Sequence, residues 1–270
     1  MRINNNIMAF NANRNLSSSN NQLGKSLEKL SSGYRINRAG DDAAGLVISQ
    51  KLRAEIGGLK QANRNAQDGI SFVQTAEGAL GEVHNMLGRM RDLSVQGAND
   101  TNDAAARTAI DAELTALNAE ITRIGADTTF AGAAVFGTTP GDDLNLQVGS
   151  EGTGTTGQIT IVATAAPTGA VASVVDAATA RTSIENIDAA IAAVSTSRGT
   201  LGATQNRLES TINNLSVTTE NLAASESRIR DTDMASEMVT FTKNQILQQA
   251  GTAMLGQANS VPQSVLSLLQ

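Results

Sequence analysis

"IENIDAAIAAVSTSRGTLGATQNRLESTINNLSVTTENLAASESRI", residues 184–229, decides the fold. Ile187, Val194, Leu201, Leu208, Leu215, Leu222 and Ile229 recur at every seventh position, partnered in places by Ile184, Ile191 and Ile212. A seven-residue repeat holds one apolar stripe on one side of a helix, which is the coiled-coil pattern. It predicts a helix of about 40–55 residues, roughly 60–80 Å long, far beyond the ordinary globular helix. A helix of that length cannot bury its stripe alone.

A second pattern supplies a partner. From Leu52 to Met90 apolar residues alternate steps of three and four through Ile56, Leu59, Ala62, Ala66, Ile70, Val73, Ala76, Leu80, Val83 and Leu87. Their mean spacing is again about 3.5 residues. The two patterns lie far apart in the chain, so antiparallel pairing of an N-terminal with a C-terminal helix is the economical arrangement. A shorter run, Ala104 to Ile124 with Ile110, Leu114, Leu117 and Ile121, completes a bundle, and Asp103 is its candidate cap. Glycines at 45, 57, 58, 69, 78, 81 and 88 lie in the first long helix. Each costs about 1 kcal/mol relative to alanine, so their number predicts close backbone approach by neighbouring helices.

The ends are amphipathic too. Ile3, Ile7, Ala12, Leu16, Leu23, Leu27 and Leu30 form a stripe at the start. Phe241, Ile246, Leu247, Ala250, Met254, Leu255, Ala258, Val265, Leu266, Leu268 and Leu269 form one at the end. Terminal apolar faces of this kind fray alone and order against a partner. Residues 137–180 differ, being rich in Gly, Thr and Ala. Within them "LNLQV" and "QITIV" alternate apolar and polar, with Leu144, Leu146, Val148, Ile159 and Ile161 on one face. They read as a hairpin joined by "GSEGTGTTG", and both termini are expected at one end of a rod with the hairpin toward the other. The fold class is therefore mainly α: a long antiparallel coiled coil or helical bundle of N- and C-terminal segments, with a small β-hairpin region in the middle.

Candidate sites of chemistry fail for want of parts. In "LSSGYRINRAGDDAAGLVIS", residues 30–49, Gly40 and Gly45 have the spacing of a phosphate-binding loop. Leu46 and Val47 stand where Lys and Ser or Thr are needed, and Asp41 and Asp42 would repel phosphate. The structural reading is that Gly40 closes a turn and Asp41 or Asp42 caps the next helix. Arg35 and Arg38 are then free to pair with carboxylates of the same or another chain. His84 is the only histidine, so a Ser-His-Asp triad or a two-histidine zinc site lacks its components. The pairs Asp142–Asp143 and Asp231–Asp233 lack the further ligands of a calcium loop. The latter pair is expected to cap a helix or to bridge Arg228 and Arg230. No catalysis, cofactor or metal is expected.

Composition narrows the class further. Hydrophobic residues make up 40 % of the 270, aromatics only 2 %, and tryptophan and cysteine are absent. Small aliphatic side chains suit thin interfaces between close helices, and the lack of cysteine excludes disulfides and thiolate sites. A net charge of −6 argues against nucleic acid. No apolar run is long enough for membrane insertion, and "MRINNNIMAFNANRNLSSSN" has no apolar core of a cleavable secretory signal.

The chain resembles bacterial flagellin. The matching segments are "MRIN" at 1–4, "LSSGYRINRAGDDAAGLVIS", "NAQDGISFVQTAEGAL" at 65–80, "RMRDLSVQ" at 89–96, "LNLQVGSE" at 144–151, "ESRIRDTDMASEM" at 226–238, "ILQQAGTAMLGQAN" at 246–259 and "SVLSLL" at 264–269. The resemblance spans nearly everything except about residues 137–182. It implies an inner coiled-coil core domain from 1–40 and 232–270, and a helical rod domain from 41–231 with the hairpin at about 137–180. Arg35, Arg38, Asp41 and Asp42 would lie in the spoke joining them. It implies filament-core packing by Ile3, Ile7, Leu16, Leu23, Leu30, Val265, Leu266, Leu268 and Leu269. The subunit would be exported through the flagellar type III apparatus, secreted without cleavage, and polymerised with its own copies into a motility filament. The large outer domains of many relatives are missing, so the filament should be thin and smooth. Implied partners are an export chaperone on the C-terminal helix, the filament cap, hook–filament junction proteins and innate immune receptors. Arg89, Leu93 and Glu113 match the patch read by the flagellin-specific Toll-like receptor, and the C-terminal leucines match a segment read by a cytosolic sensor. A hook–filament junction protein is the alternative reading.

Overall fold

The computed structural model describes residues 6–137, 143–150, 157–162 and 173–267. Five helices carry the architecture: α1 (Ile7–Ser32), α2 (Ala43–Gly97), α3 (Ala104–Asp127), α4 (Ala177–Arg230) and α5 (Met234–Ser267). Two short ribbons lie between α3 and α4: β1 (Thr129–Phe130) with β2 (Ala133–Ala134), and β3 (Leu144–Gln147) with β4 (Gln158–Ile161). The two heptad runs became helices of 55 and 54 residues. The chain divides into two compact units, residues 1–54 with 220–270, and residues 55–219; α2 and α4 contribute to both. The linkers near residues 40 and 231, where the resemblance puts the domain junction, lie within the first unit.

In the first unit α1 pairs with α5, and three contacts show that the pair is antiparallel. Asn6 Nδ2 donates to the Ala258 carbonyl at 2.7 Å, Leu16 abuts Gly251, and Lys29 Nζ lies 3.7 Å from a Glu237 carboxylate oxygen. The covered positions on α1 are Ala9, Ala12, Leu16, Ser19, Leu23, Ser26 and Leu30, spaced alternately three and four. On α5 they are Glu237, Phe241, Asn244, Gln248, Gly251, Leu255 and Ala258. The seam is thus a coiled coil of small, polar and leucine side chains. Ile7 and Leu27, read as part of one stripe, face away from it and are 63 % and 50 % exposed. The three-and-four spacing explains why: they sit beside the seam positions, not on them.

The second unit is a three-helix bundle. Arg91 Nε lies 2.7 Å from Asp188 and Arg198 lies 3.6 Å from Glu77, which aligns α2 antiparallel to α4. Its core takes Val73, Leu80, Val83, Leu87 and Met90 from α2, Ile110, Leu114 and Ile121 from α3, and Ile187, Val194 and Leu201 from α4. A smaller cluster of Ala66, Val148, Ile159 and Leu208 joins the hairpin to both long helices. The predicted hairpin is present with register Leu144↔Ile161 and Leu146↔Ile159, which puts the four apolar side chains on one face. Its connecting segment lies largely outside the described residues.

Asp103 caps α3 as expected, accepting from the Ala106 N–H at 2.7 Å. The glycine expectation needs correction. A Cβ on Gly69 would overlap Leu146 of the hairpin, one on Gly58 would meet Ser150 at 3.1 Å, and one on Gly45 would meet Asp42 and Ile36. Around Gly57, Gly78, Gly81 and Gly88 there is nothing within 4 Å. Most close approaches are therefore to a hairpin and a cap, and only Gly69 also meets a helix, through Leu208 at 3.4 Å. The β1–β2 ribbon was not read from the sequence. Its turn uses positive φ at both Ala131 (50°) and Gly132 (85°), and the alanine conceals it.

Candidate functional site

The segment that resembled a phosphate loop builds a junction of backbone and side chains. Gly33 ends α1 in the left-handed conformation (φ 75°), its N–H donating to Lys29 O at 2.8 Å. The chain then runs extended. Tyr34 bridges Asp231 in antiparallel fashion, Arg35 N–H donates to Arg230 O at 2.6 Å, and Thr232 N–H donates to Gly33 O at 2.9 Å. The linkers α1–α2 and α4–α5 are thereby stitched together.

Side chains reinforce the stitch. The Arg230 guanidinium lies 4.5 Å from the centre of the Tyr34 ring, and that of Arg53 lies 5.4 Å from it. Arg53 also donates to the Tyr34 hydroxyl at 3.2 Å and pairs with Glu226 at 3.0 Å. Arg35 donates to the Ile229 carbonyl, and Arg38 pairs with Glu28 at 2.9 Å, so only Arg38 found a carboxylate. Asp42 is the cap of α2, accepting from the Gly45 N–H at 2.8 Å. Asp41 instead accepts the N–H groups of Arg38 (3.0 Å) and Asn37 (3.2 Å), which hold its carboxyl below the usual range. Asp233 caps α5 through Ala235 and Ser236, while Asp231 takes part in the bridge. Sequence reading missed Tyr34, Arg53 and Glu226; the only tyrosine in the chain, set among arginines, was the available signal.

Beyond the seam, α1 and α5 present apolar side chains to solvent. Phe10, Val239 and Ile246 are 68, 71 and 60 % exposed, and Met8, Met238, Leu247 and Met254 accompany them. Of the expected packing residues, Leu16, Leu23 and Leu30 lie in the seam and Ile7 points outward. Val265 and Leu266 belong to α5 by backbone, and Ile3, Leu268 and Leu269 lie outside the described residues. Exposed apolar faces on this scale mark interaction surfaces.

In the second unit Arg89 and Glu113 are brought together at 2.8 Å, both largely exposed. Leu93 is not with them at the surface: at 3 % exposure it belongs to the core. His84 Nδ1 is buried, and no hydrogen-bond partner for it lies among the described residues. Among the described residues there is no cluster of three or more groups able to hold a metal, and no helix is long and apolar enough to cross a membrane. Asp142 of the pair considered for calcium lies outside the described residues. The arrangement offers surfaces for association.

Comparison with known proteins agrees. The family model for the bacterial flagellin N-terminal helical region matches residues 3–139, and that for the C-terminal helical region matches 184–269. The chain is 52 % identical to a flagellin of Halalkalibacterium halodurans and 48 % identical to a flagellin of Bacillus subtilis, each over the full length of both chains. It is 46 % identical to the flagellar filament 33 kDa core protein of Treponema phagedenis, again over both full lengths. Bacillus cereus flagellin matches in structure over 60 % of this chain and 94 % of its own, with a TM-score of 0.50 and 36 % identity. A flagellar hook-associated protein of Vibrio parahaemolyticus covers 71 % of the chain and 100 % of its own with a TM-score of 0.60, at 16 % identity, a likeness of fold alone.

Proposed function

The chain belongs to the bacterial flagellin family and is a structural subunit of the flagellar filament, and on that premise we propose that it polymerises through the outward faces of α1 and α5. The observation that carries the assembly route is the unpartnered apolar surface around Phe10, Val239 and Ile246. Covering it contributes about 25 cal/mol per Å² of apolar area, a driving force that needs no cofactor. Head-to-tail contacts that do not close into a ring extend as a helical filament.

Membership of a family that builds the flagellar filament supports export of this chain through the flagellar apparatus. A chaperone for the exported chain would have the exposed methionine-bearing face of α5 to cover. The filament cap and junction proteins would meet the same terminal helices. For innate immune recognition, the exposed Arg89–Glu113 pair supports a receptor contact, with Leu93 contributing by holding α2 in place. The junction-protein alternative draws only on fold, because the hook-associated neighbour shares 16 % identity.

The test mixes purified monomer with short filament seeds and follows length by electron microscopy. Growth into long filaments from this chain alone is expected. Seeds that stay short in the presence of helical monomer would remove self-assembly from the reading.

A further inference from the structure

Sulfur in this chain is thioether alone: there are seven methionines and no cysteine. Met1 lies outside the described residues. The other six divide between the two units. Met8, Met234, Met238 and Met254, on α1 and α5, are 67, 48, 49 and 64 % exposed. On α2, Met90 is fully buried and Met86 is half-buried against the same core. Met8 and Met254, from opposite ends of the chain, line one groove with Leu16, Leu247 and Ala250. Leu247 also borders a shallow hollow on α5, where Met238 lies beside Val239 and Ile246. Met234 lines neither.

In a chain without thiols, an exposed thioether is the group a two-electron oxidant attacks first. With hydrogen peroxide, a sulfur lone pair bonds to one peroxide oxygen while the O–O bond breaks. The departing hydroxide takes the proton from the transferred oxygen and leaves as water. Sulfur loses two electrons, peroxide gains them, and the product is methionine sulfoxide. A dithiol acting through methionine sulfoxide reductase returns the thioether, releasing water and forming a disulfide in the reductant. The sulfoxide turns a flexible apolar side chain into a polar one. On the free chain its oxygen stands in water at positions 8, 238 and 254, and the helices beneath are undisturbed. Against the apolar surface of a neighbouring subunit it loses that water, and an unpaired buried polar group is costly. Oxidation there penalises association and spares the fold. At Met90 the same oxygen would have to enter the packed core.

We propose that Met8, Met238 and Met254 form an oxidation site at which hydrogen peroxide reversibly blocks addition of the subunit to a filament of its own copies. The link to assembly rests on the filament reading; the order in which the thioethers react does not. A subunit already incorporated is protected, because the same faces are then covered. The site acts on the free chain.

The test exposes purified full-length monomer to graded hydrogen peroxide, removes the oxidant and adds filament seeds. Peptide mass spectrometry gives the sulfoxide occupancy at each methionine, circular dichroism the helix content, and electron microscopy the elongation. Met8, Met238 and Met254 should convert well before Met90, with helix content unchanged. Elongation should then fall about tenfold or more, the effect of one unpaired polar group on burial. Methionine sulfoxide reductase with a dithiol should restore it. Each variant is scored as the ratio of elongation after peroxide to elongation before, so it serves as its own reference. In a chain carrying Met8→Leu, Met238→Leu and Met254→Leu the ratio should be unaffected by peroxide. In Met234→Leu it should fall as in the unsubstituted chain. Undiminished elongation with all three thioethers oxidised overturns the proposal, as does a fall in the triple variant equal to that of the unsubstituted chain. Should the triple variant not elongate at all, the reductase decides: oxidised chain that stays inactive once its three sulfoxides are reduced overturns the proposal. Oxidation of Met90 first, with loss of helix, overturns it too. Untreated chain that never extends seeds defeats the filament reading and the assembly step with it, while the order of oxidation is still read by mass spectrometry.

Discussion

Thr232 donates its backbone N–H to the carbonyl of Gly33 at 2.9 Å, joining two linkers from opposite ends of the chain. The contact has a side-chain counterpart in Tyr34, which lies against both Arg230 and Arg53. This small assembly holds four helix ends of the first unit in a fixed relation.

Tyr34→Ala should lower the stability of the first unit by about 1–2 kcal/mol, since each partly exposed cation–π contact contributes about 0.5–1 kcal/mol. Tyr34→Phe should keep most of it, losing only the hydrogen bond from Arg53. Urea titration followed by helical circular dichroism measures both. In the unsubstituted chain, Tyr34 fluorescence reports this junction without interference, because the chain has one tyrosine and no tryptophan.

The two glycines that suggested a phosphate loop should respond unequally to alanine. A Cβ at position 45 would stand 2.5 Å from Asp42 Oδ2 and 2.7 Å from Ile36 Cδ1, so Gly45→Ala displaces the cap and should cost about 1–3 kcal/mol. Gly40 has nothing within 4 Å, and Gly40→Ala should change stability by less than about 0.5 kcal/mol. Thermal melts of the two variants side by side decide it.

Acid should weaken the junction through Asp41. Its carboxyl is held below the usual range by the N–H groups of Arg38 and Asn37, so the folded state binds fewer protons than the unfolded one. Its contribution is fully present above the unfolded value and fades as pH falls through the lowered folded value. Asp176, held down by the N–H of Thr179 at the start of α4, behaves alike in the second unit. Asp41→Asn should flatten the loss of stability on acidification below about pH 4, read as unfolding midpoint against pH.

Leu93 and Arg89 should separate fold from recognition. Leu93→Ala opens a hole in the core of the second unit and should cost about 2–5 kcal/mol. Arg89→Ala removes an exposed ion pair worth at most about 1 kcal/mol. Receptor signalling lost with Arg89→Ala at unchanged melting temperature would support a direct contact; signalling that persists counts against it.

Charge on the outward face of α5 should stop growth without unfolding the monomer. Val239→Asp and Ile246→Asp alter side chains that touch little in the single chain. Helix content should hold while seeded elongation falls to background, as electron microscopy would show. Elongation at the normal rate would direct attention to another face.

Residue periodicity alone determined the long helices, the buried stripe Ile187–Val194–Leu201–Leu208–Leu215 and the hairpin face of Leu144, Leu146, Ile159 and Ile161. Those features follow from which residues share a face, and that is local geometry. The tertiary structure decided what periodicity leaves open. It turned Leu93 into the core and Ile7 outward, and gave Gly45 and Gly78 different surroundings despite equal composition. It chose the bridge between Tyr34 and Asp231 and the seam that buries Asn244. Each of these depends on which distant segment arrives opposite a residue, and a repeat of seven is equally consistent with several alignments until side chains from both ends of the chain meet.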